Sequence, residues 1–275
     1  MQSATSVTRW HQLSEPGDRL AAARRQCHHA VQLNTRFARA FAQPKEDDSH
    51  TSLSWDFEHH ALVGVPAASF RIGLRIADLT FLLLDSIGAT VSTFPLHGQT
   101  FSGATEWLAG IVRHEGFDPA PLANRIHFEL DDHPLLHGAR FESRTNEAEL
   151  QELARWYANA ASCLEAIGQP VRCWPHHFDI ATQLSNGETI GGGRTIGAGL
   201  SPGDASYNEP YFYVTLWPSP DPTSLRPLRA GKWHTQGWTG AALSAHEILR
   251  HADQRALVSE FLRDVIDLYQ TPAAF

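Results

Sequence analysis

The chain has 275 residues, with 22 Lys+Arg against 30 Asp+Glu and a formal charge of -8. That balance argues against sequence-independent attraction to nucleic-acid phosphates or to anionic membrane surfaces, so neither is expected as a partner. Met1 to Gln12 has no apolar leader, and the longest apolar stretch, Phe70 to Leu84, is broken by Arg71, Arg75 and Asp78, so a soluble, cytoplasmic chain is expected.

In chain order, Asp18 to Ala42 reads as a helix, with Leu20, Ala23, Cys27, Ala30, Val31, Phe37 and Phe41 near helical intervals and Pro44 closing it. Ser52–Val65, Phe70–Leu84 and Ala89–Pro95 read as strands, with Asp85 to Gly88 as a hairpin connection. Within the second of these the apolar phase changes near Asp78, which predicts a bulge or bend there. A short helix, Ser102–His114, comes next, and then a strand-like alternation of Ile126, Phe128 and Leu130 with His127, Glu129 and Asp131. Asn146 with Glu149 makes a capping box for a helix running through Ile167.

The second half is expected to be mainly β: Val171–Leu184, Thr195–Leu200, Tyr211–Trp217 and Lys232–Thr235. Ser244 with Glu247 then caps a final helix whose apolar face carries Leu257, Phe261, Val265 and Leu268. The fold class is therefore α+β, a mainly antiparallel sheet with helices at the N-terminus, in the middle and at the C-terminus. One domain over residues 1–275 is expected. Two similar halves, 1–145 and 146–275, are the alternative, since each runs helix, strands, helix; Trp55 and Trp174 each precede a His-His pair, a match too short to carry weight. Cys27, Cys163 and Cys173 lack CxxC spacing and read as buried thiols.

Three segments carry a resemblance: Cys173-Trp174-Pro175-His176-His177-Phe178-Asp179-Ile180-Ala181, Gly199-Leu200-Ser201-Pro202-Gly203 and Pro210-Tyr211-Phe212-Tyr213-Val214. In this order, together with the opening helix and His50 to Trp55, they resemble the bacterial family catalogued as domain of unknown function 5996. The family pattern often has Gly-Ser where His176 and His177 stand, so the two histidines depart from it. The resemblance implies no established activity and lends no catalytic residue.

Several chemical signals have plainer explanations. Gly199-Leu200-Ser201-Pro202-Gly203 matches the nucleophile elbow in letters, but Pro202 has no N–H for an oxyanion hole and no helix is expected after it. Ser201 is thus expected to be structural. Gly191-Gly192-Gly193 reads as a hairpin turn. The run His127, Glu129, Asp131, His133 and His137 reads as the wet face of a half-buried strand rather than a metal site.

The informative segment is Val171–Leu184. Read as one strand, it places Trp174, His176, Phe178, Ile180 and Leu184 on the core face and Cys173, His177, Asp179, Ala181 and Gln183 on the other. The Tyr211 strand likewise puts Tyr211, Tyr213, Thr215 and Trp217 opposite Phe212, Val214 and Leu216. In one sheet, an imidazole, a carboxylate and two phenols then gather, and His177, Asp179, Tyr211 and Tyr213 are the candidate catalytic set. Glu209, His234 and Trp217 are candidate ligand-binding residues, and Trp174, Trp233 and Trp238 candidate walls. The expected function is binding or transforming a small molecule on this polar-aromatic face. Two alternatives stand beside it: a metal-dependent enzyme with a divalent ion on His177, Asp179 and His234, and a non-catalytic interaction module, with a homo-oligomer as one outcome.

Overall fold

The computed structural model describes residues 10–15, 17–184 and 195–270. Eleven strands form one sheet in which every pairing is antiparallel: β1 (Leu53–Asp56), β2 (Ala61–Gly64), β3 (Arg71–Arg75), β4 (Thr80–Leu84), β5 (Thr90–Pro95), β6 (Val171–Trp174), β7 (Asp179–Leu184), β8 (Thr195–Ser201), β9 (Tyr211–Trp217), β10 (Lys232–His234) and β11 (Gly240–Ser244). Their spatial order is β10-β11-β9-β8-β7-β6-β1-β2-β3-β4-β5. Two meanders therefore meet through their first strands, β1 and β6, at Leu53 opposite Cys173.

Six helices accompany the sheet among the described residues: α1 (Leu20–Ala30), α2 (Gln32–Phe41), α3 (Phe101–His114), α4 (Glu147–Glu165), α5 (Ala245–Leu249) and α6 (Gln254–Gln270). α4 packs over β1, β6, β7 and β8, and α6 over β8, β9 and β11. The buried row Leu53, Cys173, Ile180, Leu200, Phe212 and Leu243 runs straight across the sheet towards them. Removing this apolar surface from water, together with Trp156 and Tyr157 of α4, is the main force holding the two layers together. Among the described residues no helix is long and apolar enough to cross a membrane.

Three stretches expected to be continuous strands are hairpins. Ser52–Val65 turns at Phe57 to His60, Phe70–Leu84 turns through a short 3-10 segment at Ile76–Asp78, where the phase change predicts a bulge or bend, and Val171–Leu184 turns at Pro175 to Phe178. Each reversal places a non-glycine residue in the left-handed region: His60 at φ 49°, Leu79 at 51° and Phe178 at 55°. Glycine or asparagine ordinarily marks such positions, so the usual sequence signal is missing. At the first hairpin, Asp56 Oδ1 instead accepts the Glu58 and His59 N–H groups at 2.9 Å each.

Other departures are local. The N-terminal helix divides at Val31 into α1 and α2. Residues 124–133 form no strand, although Ile126, Phe128 and Leu130 are the half-buried members of the alternation. Asn146 does not cap α4; its amide donates to the Glu142 carbonyl at 2.8 Å. Ser244 does cap, accepting the Glu247 N–H at 3.3 Å, but α5 ends at Leu249 and α6 starts separately. Gly191-Gly192-Gly193 lies outside the described residues.

Candidate functional site

α4 and α6 cover the second meander where Ile180, Leu200 and Phe212 are buried, and among the described residues the opposite face of β6 to β9 carries two depressions. Its rows follow from the register: Asp179 sits across from Trp174, Ala181 from Gly199, Gly199 from Tyr213, and Gly197 from Thr215. A Cβ on Gly199 would lie 2.6 Å from both Cζ and Oη of Tyr213 and 2.8 Å from the Ile180 carbonyl oxygen. The missing side chain lets the Tyr213 ring lie across β8 and reach β7, where its O–H donates to Asp179 Oδ2. Gly197 serves the neighbouring row in the same way, since a Cβ there would lie 2.9 Å from Thr215 Oγ1.

Asp179 Oδ1 is shielded from solvent and has no hydrogen-bond partner among the described residues. Burial pushes the carboxyl above the usual aspartate range, against the Tyr213 hydrogen bond and the nearby His177, both of which favour the ionised form. Burial first, and then the Asp179 charge, raise the Tyr213 phenol well above its ordinary value. The second carboxylate, Asp204, is satisfied. Its Oδ1 accepts the Ser206 and Tyr207 N–H groups at 2.7 and 3.1 Å, and its Oδ2 accepts the Tyr211 O–H at 2.6 Å and the Ser201 O–H at 3.4 Å. Burial and Asp204 raise the Tyr211 phenol in turn.

Asp179, Tyr213, Tyr211, Asp204, Ser201 and His177 border one concavity of about 390 Å³, completed by Thr215 and by the indole of Trp238. Trp238 is nearly parallel to Tyr211, with ring centres 6.3 Å apart and planes at 18°. Asp179 and Tyr213 also border the adjoining groove of about 570 Å³, which holds Trp174, Arg172 and Gln183. The carboxyl–phenol pair thus stands where two depressions of one sheet face meet.

The structure brings the four candidate catalytic residues to one place, although not by the expected route. His176 and His177 do not alternate on a strand: both are exposed in the Pro175–Phe178 turn, with ring centres 4.4 Å apart. His176 is consequently not a core residue. The turn also reverses the faces of β6, so that Cys173 is buried beside Ile180 and Trp174 lies on the open side with Asp179. This turn is fixed from below: Tyr157 O–H donates to the Phe178 carbonyl, and Gln32 Nε2 to the Pro175 carbonyl at 2.8 Å, which His28 Nε2 also contacts at 2.9 Å.

The proposed binding residues are dispersed. Glu209 borders a separate depression with Asp18, and Trp217 is 69% exposed at the opposite end of β9. Trp233 donates to the Arg226 carbonyl at 2.6 Å and faces Tyr269 of α6. His234 has both ring nitrogens engaged, Nδ1 with the Tyr207 hydroxyl at 3.1 Å and Nε2 with the Gln236 carbonyl at 2.6 Å, and it stacks on Trp238 at 4.3 Å. The metal set of His177, Asp179 and His234 is not assembled, and among the described residues no three His, Cys, Asp or Glu side chains gather as ligands. The His127 run is dispersed as well: His127 pairs with Asp48 at 2.8 Å, His137 with Asp132 at 2.6 Å, and His133 stacks on His29.

Sequence reasoning missed Asp204 and the glycine pair Gly197 and Gly199. The signal was available: two glycines two residues apart in a strand share one face, and the tyrosine strand follows. Ser201 Oγ accepts the Gly203 N–H at 3.2 Å, and Gly203 has φ 107°, a turn geometry with no helix after the serine. Comparison of the chain with protein-family models, with curated proteins and with solved structures finds no match.

Proposed function

We propose that the open face of β7 to β9 binds a small molecule in the concavity around Asp179 and Tyr213. The observation that carries this reading is the Asp179 carboxyl, whose Oδ1 is shielded and unpartnered while Oδ2 is held by Tyr213. A buried polar atom without a partner is costly in a purely structural setting, and a ligand group placed against it removes the deficit. Tyr211 and Trp238 supply flat apolar walls, and both tyrosine hydroxyls are anchored, so the site is organised before a ligand arrives. The raised carboxyl can hold or release a proton close to the ligand, which gives the same site the means for acid–base chemistry.

Ligand mapping by NMR tests the reading. The chain has five tyrosines, so protein labelled with carbon-13 in the tyrosine rings gives a short list of signals to follow while a fragment collection is screened. Bound fragments are expected to shift Tyr211 and Tyr213 and to leave the buried Tyr157 and Tyr269 in place. Fragments that bind elsewhere and leave Tyr211 and Tyr213 unmoved refute it. The interaction-module alternative has less support, because Trp217 is the one tryptophan among the exposed large apolar side chains of the described residues.

A further inference from the structure

Resting on that small-molecule reading, we infer that the ligand of this concavity is an organic cation, an ammonium group carried on a small apolar or aromatic body. The argument starts from charge. Two carboxylates, Asp179 and Asp204, border the concavity, and among the described residues neither Lys nor Arg does. Asp204 is already bound by four donors, so the uncompensated acceptor is Asp179 Oδ1. A neutral hydroxyl can satisfy that oxygen with one hydrogen bond, but an ammonium also supplies the counter-charge that a desolvated carboxylate lacks.

The walls point the same way. Tyr211, Tyr213 and Trp238 present three electron-rich ring systems to the space beside Asp179. Ring faces attract a cation through their quadrupole, most strongly where water is displaced. The neighbouring edge of this cluster already holds one: Lys232 Nζ lies 5.1 Å from the centre of the Tyr207 ring, which in turn packs on Tyr211 at 4.7 Å. An anionic ligand would face two carboxylates here, and a purely apolar one would leave Oδ1 unpaired.

Calorimetry on the full chain with charged and uncharged pairs of equal shape tests the assignment: benzylamine against benzyl alcohol, and choline against its analogue in which carbon replaces the nitrogen. At least one cation is expected to bind saturably and about tenfold or more tighter than its neutral partner. Asp179→Asn keeps an acceptor for Tyr213 and removes the charge, so it should abolish that preference. Equal affinity within both pairs, a preference that survives Asp179→Asn, or no saturable binding by either cation overturns the assignment. Because the charged–neutral comparison is made on the wild type, it decides the matter even if the variant fails to fold. Benzyl alcohol binding that shifts Tyr211 and Tyr213 without any gain from charge would remove the cation and leave the small-molecule reading intact.

Discussion

Gly199→Ala is the substitution with the sharpest structural consequence. The new methyl carbon would meet two Tyr213 atoms at 2.6 Å and the Ile180 carbonyl oxygen at 2.8 Å, each well inside ordinary contact. The phenol can swing away, but the carbonyl belongs to the β7–β8 ladder and yields only if the strands part. Overpacking of this kind typically costs about 1–3 kcal/mol. At roughly 2–4 °C per kcal/mol for a domain near this size, thermal unfolding should fall by several degrees. The displaced Tyr213 also leaves Asp179 with two unpaired oxygens, so ligand affinity should drop together with stability. Gly110→Ala is the control: Gly110 lies inside α3 with open space around its Cβ position, and alanine there should stabilise by about 0.5–1 kcal/mol. Differential scanning calorimetry on both variants makes the check. A Gly199→Ala protein as stable as wild type would mean that Tyr213 does not lie across β8.

Tyr213→Phe removes the O–H donor to Asp179 Oδ2 and should cost about 1–3 kcal/mol at neutral pH, less in acid where the carboxyl is protonated; urea unfolding at two pH values measures both. Because folded Asp179 keeps its proton to higher pH than the unfolded chain does, wild-type stability should fall as pH rises from the ordinary aspartate range to the raised value. Asp179→Asn should lack that fall, and parallel pH slopes in the two proteins would contradict it. Burial pushes His28 and His29 down to about 4 from the ordinary 6.5, so their stabilising contribution is full above 6.5 and is lost as pH falls from there towards about 4. Imidazole NMR titration should find both still neutral at pH 5.5, and midpoints near 6.5 would refute the placement.

The sheet was legible where alternation and ordinary turn residues coincide. β8, β9 and the Asp85–Gly88 connection follow expectation closely, because Gly88 occupies a positive-φ position that glycine tolerates. Hairpins were lost where the reversal uses His60, Leu79 or Phe178, since apolar and aromatic side chains at those positions read as strand. What holds Phe178 in place is tertiary: its ring is buried and stacks beside His28 of α1, and its carbonyl is bound by Tyr157 of α4. No local rule sees those partners. The grouping of the candidate residues around one concavity survived this error because Asp179, Tyr211 and Tyr213 lie outside the turn, and strand periodicity within β7 and β9 was read correctly. His177 arrived at the same rim only by way of the turn.

A comparison within the sheet separates what belongs to the fold from what belongs to the site. Both first hairpins, β1–β2 and β6–β7, have four-residue turns whose last residue is left-handed, so the strain at Phe178 has a counterpart at His60 and says nothing about function. The open-side rows differ. In the first meander Val63, Gly73 and Leu82 stand side by side, two buried aliphatic chains around one glycine, and with Ala61 and Leu84 they form a small apolar cluster. In the second meander the matching rows hold Gly197 and Gly199 beneath Thr215 and Tyr213, with Asp179 at the end. Glycine inside a strand costs about 0.5–1 kcal/mol relative to alanine, and an unpaired buried oxygen about 1–3 kcal/mol more. The first meander bears such costs too, with Gly73 inside β3 and Trp55 Nε1 of β1 buried without a hydrogen-bond partner among the described residues. In the second meander two strand glycines, Gly197 and Gly199, and the unpaired Asp179 Oδ1 fall on one face, with Asp179 at the rim of the concavity, and that coincidence is what the proposed binding role rests on.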